Sequence, residues 1–132
     1  MTRSVRMPCA KEDAEMTVLA QWLDLIGVLW LHPPNETRGP VQHYVRRAKL
    51  GTKVGAPDCL IFTPPPFFPT FRGAAIELKR EHGGRVSDAQ EEWLDGLSAV
   101  LWLTHVARGA NDAIEWMQGL GYGQPTARQT ER

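Results

Sequence analysis

Two short segments place acidic groups at the ends of apolar runs. Gly55-Ala56-Pro57-Asp58 opens the run Cys59-Leu60-Ile61-Phe62, and Ala74-Ala75-Ile76 leads into Glu77-Leu78-Lys79. Side chains alternate along a strand, so Glu77 and Lys79 share one face while Leu78 takes the other. If the two strands pair, Asp58 comes to lie beside Glu77. Two converging carboxylates and an ammonium are costly to hold together unless something neutralises them. A hard divalent cation with oxygen ligands does so, and such a cation can activate water for attack on a phosphodiester. The chemistry implied is metal-dependent cleavage of nucleic acid. Each motif alone is commonplace, because Pro-Asp is a turn dipeptide and Glu-x-Lys arises by chance. Order, spacing and strand context together carry the reading.

The charge distribution supports it. The 132 residues have a net charge of zero. Residues 38–85, however, hold nine basic side chains against three acidic ones, for a local charge of +6. Two of those three acids are Asp58 and Glu77. A basic middle third around an acidic pair suits a phosphate backbone and a bound cation; ordinary solvated charges are the plainer explanation. Arg38, Arg46, Arg47, Lys53, Arg80 and Arg85 are the candidate DNA contacts.

The elements that must position these groups follow from periodicity. Residues 11–26 form an amphipathic helix with Leu19, Trp22, Leu23 and Ile26 in one stripe. Continued towards the N-terminus, that stripe passes through Met16, Glu15 and Glu12. Either these acids complement the positive end of the helix dipole, or one of them points into the acidic site. Val28–Leu31 reads as a strand, ended by His32-Pro33-Pro34. Residues 40–50 read as a helix carrying Arg46, Arg47 and Lys49. Asp58–Thr63 and Ala74–Lys79 are strands. The Pro- and Phe-rich segment between them is either an arm for DNA or a second copy, or a loop folded back by its aromatics.

After Gly83-Gly84, Ser87-Asp88-Ala89-Gln90 has the form of a capping box opening a helix to about Leu97. The alternative places Gln90 in the active site. Ala99–Val106 reads as a buried strand, and Asn111 or Asp112 caps a last helix through Leu120. Residues 1–10 are expected to be a mobile N-terminal segment, 11–122 the folded domain and 123–132 a polar tail.

Composition bounds the class. Its 42% hydrophobic content and five Trp suit a single folded domain. No apolar run is long enough to span a membrane, and the N-terminus lacks a signal-peptide core, so an intracellular, cytoplasmic location is expected. Cys9 and Cys59 have no metal-like spacing, and Cys59 reads as a buried small residue. The four His form no zinc pattern. Ser87 has no partner base for a triad, and no phosphate-binding Gly-rich loop is present. The Trp residues read as core or dimer-interface groups; base stacking would require one to be exposed near the basic segment.

With these residues assembled, the chain resembles the virus-type replication-repair nuclease (VRR-NUC) family of the PD-(D/E)xK superfamily. The resemblance spans about residues 11–122. It rests on Glu12, His32-Pro33-x-Asn35 with Arg38, and Gly51-x-Lys53-x-Gly55-x-Pro57-Asp58. It continues through Glu77-Leu78-Lys79-Arg80, Gly84-Arg85-x-Ser87-x-x-Gln90 and Trp93-Leu94. It implies an α/β restriction-endonuclease-like αβββαβ core with a mixed sheet flanked by helices, and dependence on Mg2+ or Mn2+ with no organic cofactor. Asp58 and Glu77 would bind the metal with the Leu78 carbonyl. Lys79 would orient or deprotonate the attacking water, Gln90 would support the site, and Glu12 would reach the metal through water. The chain departs from the family at Met16, where Gln is common, so Glu15 stands as the alternative first-helix acid. Small members resemble homodimeric Holliday-junction resolvases of phage type. Flap or general nicking activity, and a catalytically silent DNA-binding module, are the competing expectations.

Overall fold

The computed structural model describes residues 3–34, 45–46, 48–51 and 53–124, with side chains from Asp13 onwards. Four strands form one sheet in the order β1-β2-β3-β4. They are β1 (Trp30–Leu31), β2 (Cys59–Ile61), β3 (Gly73–Lys79) and β4 (Trp102–Arg108). β1 and β2 pair antiparallel, as do β2 and β3, whereas β3 and β4 are parallel. Among the described residues, and apart from helical positions at 45–46 and 48–49, the helices are α1 (Arg3–Ile26), α2 (Asp88–Ala99) and α3 (Ala110–Gly119). The expected αβββαβ order is therefore present, followed by one more helix.

The core lies on one face of the sheet. Leu19 and Leu23 of α1, Cys59 and Ile61 of β2, Ala74, Ile76 and Leu78 of β3, and Ala113 and Met117 of α3 pack into one cluster. Burying each large aliphatic side chain contributes about 1.5–3 kcal/mol. Because strand residues alternate, the remaining face of β3 carries Ala75, Glu77 and Lys79, and that of β2 carries Leu60. α2 covers this second face without burying any of its own residues completely. The sheet thus has a tightly packed side and a more open side, and the acidic segment belongs to the open side. β3 is central and buried along nearly its whole length.

Two helix ends differ from the sequence expectation. α2 closes through a turn in which Val100 and Leu101 N–H groups bond to Leu97 and Ser98 carbonyls. Leu101 adopts a positive φ of 71° there, a conformation usually left to glycine at a helix end. The apolar run from Ala99 is therefore divided between a helix terminus and a strand, and β4 begins at Trp102. β4 is only half-buried over most of its length, because it is an edge strand. At α3 neither Asn111 nor Asp112 is the cap. Gly109 occupies that position without a side-chain bond, and the Glu15 carboxylate accepts the Ala110 N–H at 2.7 Å from across the molecule. Asp112 instead accepts the Arg108 N–H and meets His105 Nε2 at 3.0 Å. Burial works to raise the Asp112 carboxyl, but those two partners prevail and hold it below its ordinary range.

α1 begins at Arg3, within the segment expected to be mobile. The Pro- and Phe-rich connection folds back on the body: Phe67 N–H bonds to the Leu120 carbonyl at 2.9 Å, and Tyr122 OH donates to the Thr63 carbonyl at 2.6 Å. Val45, Arg46, Ala48 and Lys49 are helical, and the rest of the 40–50 helix lies largely outside the described residues. Among the described residues no helix is long and apolar enough to cross a membrane.

Candidate active site

The site forms where β2 begins and β3 ends. Antiparallel pairing sets Cys59 opposite Ile76, so the preceding Asp58 falls beside Glu77. Asp58 Oδ2 accepts the Leu78 N–H at 2.8 Å, where a strand carbonyl would otherwise bond. The N–H and C=O of one strand residue point to the same edge, so the Leu78 carbonyl also faces the Asp58 side. His32 Nδ1 lies 2.6 Å from the Asp58 carbonyl. A carbonyl only accepts, so this ring nitrogen carries the proton. His32 thereby fastens the backbone of Asp58, a role that its place in the His-Pro segment did not reveal.

Gln90 unites capping with the site. Its Oε1 accepts the Ser87 N–H at 2.9 Å and Lys79 Nζ at 3.0 Å. Its Nε2 donates to Glu77 Oε1 at 2.9 Å. The amide can be oriented in only one sense, because the reverse would set its NH2 against an ammonium and a backbone N–H. Ser87 Oγ in turn accepts the Gln90 N–H. The capping box and the site contact, weighed as alternatives from spacing, are therefore the same side chain.

Glu77 is 3% exposed and Lys79 15%, with Lys79 Nζ 3.7 Å from Glu77 Oε1. Glu77 Oε2 is buried and has no hydrogen-bond partner. Burial raises the Glu77 carboxyl to about 8; the charge of Asp58 adds to this rise and Lys79 opposes it. The same surroundings keep Cys59 an inert thiol. Burial first, then the charges of Asp58 and Glu77, push it far above its ordinary range.

The other candidates are dispersed. Glu15 is engaged at the N-terminus of α3, where it accepts the Ala110 N–H. Glu12 lies on α1, but its side chain is outside the described residues, as are Arg38 and Arg47. Arg46, Lys53 and Arg85 are exposed, and Arg80 is half-buried. Among the described residues no group of three or more His, Cys, Asp or Glu side chains is placed to hold a metal. Asp58 and Glu77 are the acidic pair. Arg108 was not anticipated. From the end of β4 it donates through Nη1 to the Gly84 carbonyl at 3.0 Å and to those of Arg80 and Gly83. That clamp holds the turn between β3 and α2, and only the tertiary fold brings its partners within reach.

The loop before Asp58 depends on one glycine. Gly55 has a φ of +90°, and a Cβ there would meet the Ala89 backbone carbon at 2.7 Å. Gly55→Ala is expected to push this loop off α2, at a cost of roughly 1–3 kcal/mol. A lower thermal midpoint would show it, and an unchanged midpoint would remove glycine's special role.

With this geometry in place, comparison with known structures defines the class of fold. A solved structure titled "VRR_NUC domain protein" is similar to this chain with a TM-score of 0.68. The match has 22% identity and covers 83% of this chain and 87% of the other. The fold of this protein is therefore that of a VRR-NUC domain, a small α/β domain with a mixed four-stranded sheet. No family model matches the sequence, and no curated protein matches it.

Proposed function

We propose that the protein is a metal-dependent DNA endonuclease with its active centre at Asp58, Glu77, Lys79 and Gln90. One observation carries this reading: a nearly buried carboxyl group, one of whose oxygens accepts no hydrogen bond, held against a second carboxylate and beside an anchored lysine. A buried acceptor in that state is costly unless a ligand completes it. Hard carboxylate oxygens suit Mg2+ or Mn2+. Asp58 and Glu77 would hold such an ion with the Leu78 carbonyl, and Glu12 is the proposed water-mediated contributor. When bound, the ion supplies Lewis acidity towards a phosphoryl oxygen and lowers the pKa of water.

The remaining work falls to the side chains. Gln90 fixes Lys79 and Glu77 relative to each other through its two amide atoms. Lys79 presents an ammonium beside the carboxylate pair, where it offsets phosphate charge and orients the attacking water. Arg46, Lys53, Arg80 and Arg85, with Arg38 and Arg47, are proposed to track the backbone. The resemblance directs the substrate towards branched DNA and the assembly towards a homodimer, whose symmetry would present two sites to opposed strands.

The test is cleavage of labelled four-way junction, flap, duplex and single-stranded DNA with Mg2+, Mn2+ or EDTA, with Asp58→Ala as control. Paired, metal-dependent nicks across the junction, lost in the variant, are expected. Cleavage of flaps alone would reassign the substrate, and binding without cleavage would favour a silent module. Lys79→Ala is expected to lose cleavage by about 10²–10³-fold while still binding Mn2+ by calorimetry. Full activity would remove Lys79 from the chemistry.

A further inference from the structure

We propose that the cleft beside the acidic pair receives one unpaired nucleobase of the strand being cut, stacked on Trp93. The inference rests on the nuclease reading and adds to it the state of the substrate. The cleft has a volume of about 340 Å³, and its lining includes Leu31, Pro33, Leu50, Lys53, Leu60 and Trp93. That volume falls within the usual range of small-ligand clefts, about 300–1,000 Å³.

Its position follows from register. Leu60 is two residues beyond Asp58 on the same face of the β2 segment, and Trp93 is three residues beyond Gln90, one turn along α2. The cleft therefore lies on the same face of the sheet as the carboxylates, one strand repeat and one helical turn away. A base one nucleotide from a phosphodiester held at Asp58 and Glu77 is the part of a nucleic-acid strand that could reach it. The lining is apolar apart from one ammonium, which suits a flat base with a neighbouring phosphate on Lys53.

The indole is available for this role. Trp22, Trp30 and Trp116 pack against the core, and Trp102 sits edge-on to Phe62 at 5.4 Å. Trp93 is outside that core cluster, on the helix that buries none of its residues fully. Aromatic stacking accepts any base, because every base has a π-face. A base still paired in a duplex cannot reach the indole. The cleft thus selects strands with an unpaired base next to the scissile phosphate, as at a branch point, bulge or single-stranded tail.

The experiment uses the full chain with Ca2+, which takes the same class of oxygen ligand. 2-Aminopurine is moved one position at a time through a single-stranded oligonucleotide and one strand of a branched substrate. Quenching is expected at one or two positions only. Trp93→Ala is expected to abolish it and weaken binding about tenfold, while Trp93→Phe keeps most of both. In Mg2+, an abasic residue at the quenched position should slow the wild-type protein by a similar factor and Trp93→Ala no further.

Uniform or absent quenching would overturn the proposal. So would an equal loss by Trp93→Ala on intact and abasic DNA, which would make Trp93 a packing residue. Localised quenching without cleavage in any metal would sink the nuclease reading and leave the base cleft standing; cleavage without quenching would do the reverse.

Discussion

Glu77→Gln is expected to abolish cleavage, on the order of a thousandfold or more, because it removes the proposed hard anionic ligand and the charge that a divalent cation would require. The substitution should barely disturb the fold. The retained carbonyl oxygen can still accept from Gln90 Nε2, which now bonds to Glu77 Oε1. At neutral pH the variant should be more stable than the metal-free parent, since the parent must take up a proton at Glu77 in order to fold and the neutral amide need not. Junction cleavage with Mg2+, set beside thermal denaturation of both proteins in EDTA, reads the two effects together. A variant that is both inactive and unstable would make Glu77 a structural residue. An active variant would end the metal-site assignment.

The second large effect is a linkage between pH, metal and stability. Burial, with the charge of Asp58, raises the Glu77 carboxyl from 4.5 to about 8 in the folded protein. Between those values the folded state holds a proton that the unfolded chain has released. Stability is therefore fully present below the unfolded value, falls as pH rises, and is lost once pH passes the folded value. Each pH unit in the window is worth up to about 1.4 kcal/mol. Metal-free protein should lose about 10 °C in Tm between pH 5 and pH 8. Mn2+ or Mg2+ at pH 8 should restore much of it by binding the ionised folded state. Glu77→Gln should flatten both dependences. A pH-independent Tm in EDTA would contradict the buried, proton-holding carboxyl.

These expectations trace back to features that differ in how far a sequence reveals them. The strand expected over Ala74–Lys79 forms as β3 from Gly73, because a short apolar run bounded by Gly and a charged end has few alternatives. The alternation that set Glu77 and Lys79 on one face is a property of any strand. Ser87 and Gln90 were legible as a cap because that interaction is local. The further bonds of Gln90 to Lys79 and Glu77 were not, since they need α2 laid across β3. The acids of α1 show the same division. Glu15 has a periodicity that fits a core-facing stripe, but its partner is the Ala110 N–H, and no spacing rule links those positions. The misplaced start of β4 has a different cause: Val100 and Leu101 are apolar enough for a strand, yet the end of α2 needs them for its closing turn.

The bond between Glu15 and Ala110 joins positions 95 residues apart, whereas Asp58, Glu77, Lys79 and Gln90 all come from one middle stretch. Contacts of such unequal span do not form on the same schedule, because long-range closure must await most of the chain. The acidic pair, the lysine and the glutamine are joined by contacts of short sequence span, whereas α1 must find α3 across nearly the whole domain. Until the Ala110 N–H of α3 donates to the Glu15 carboxylate of α1, the packed layer behind the sheet is incomplete. The proposed catalytic residues therefore sit on a local framework whose backing is fastened by one contact between the two ends of the domain.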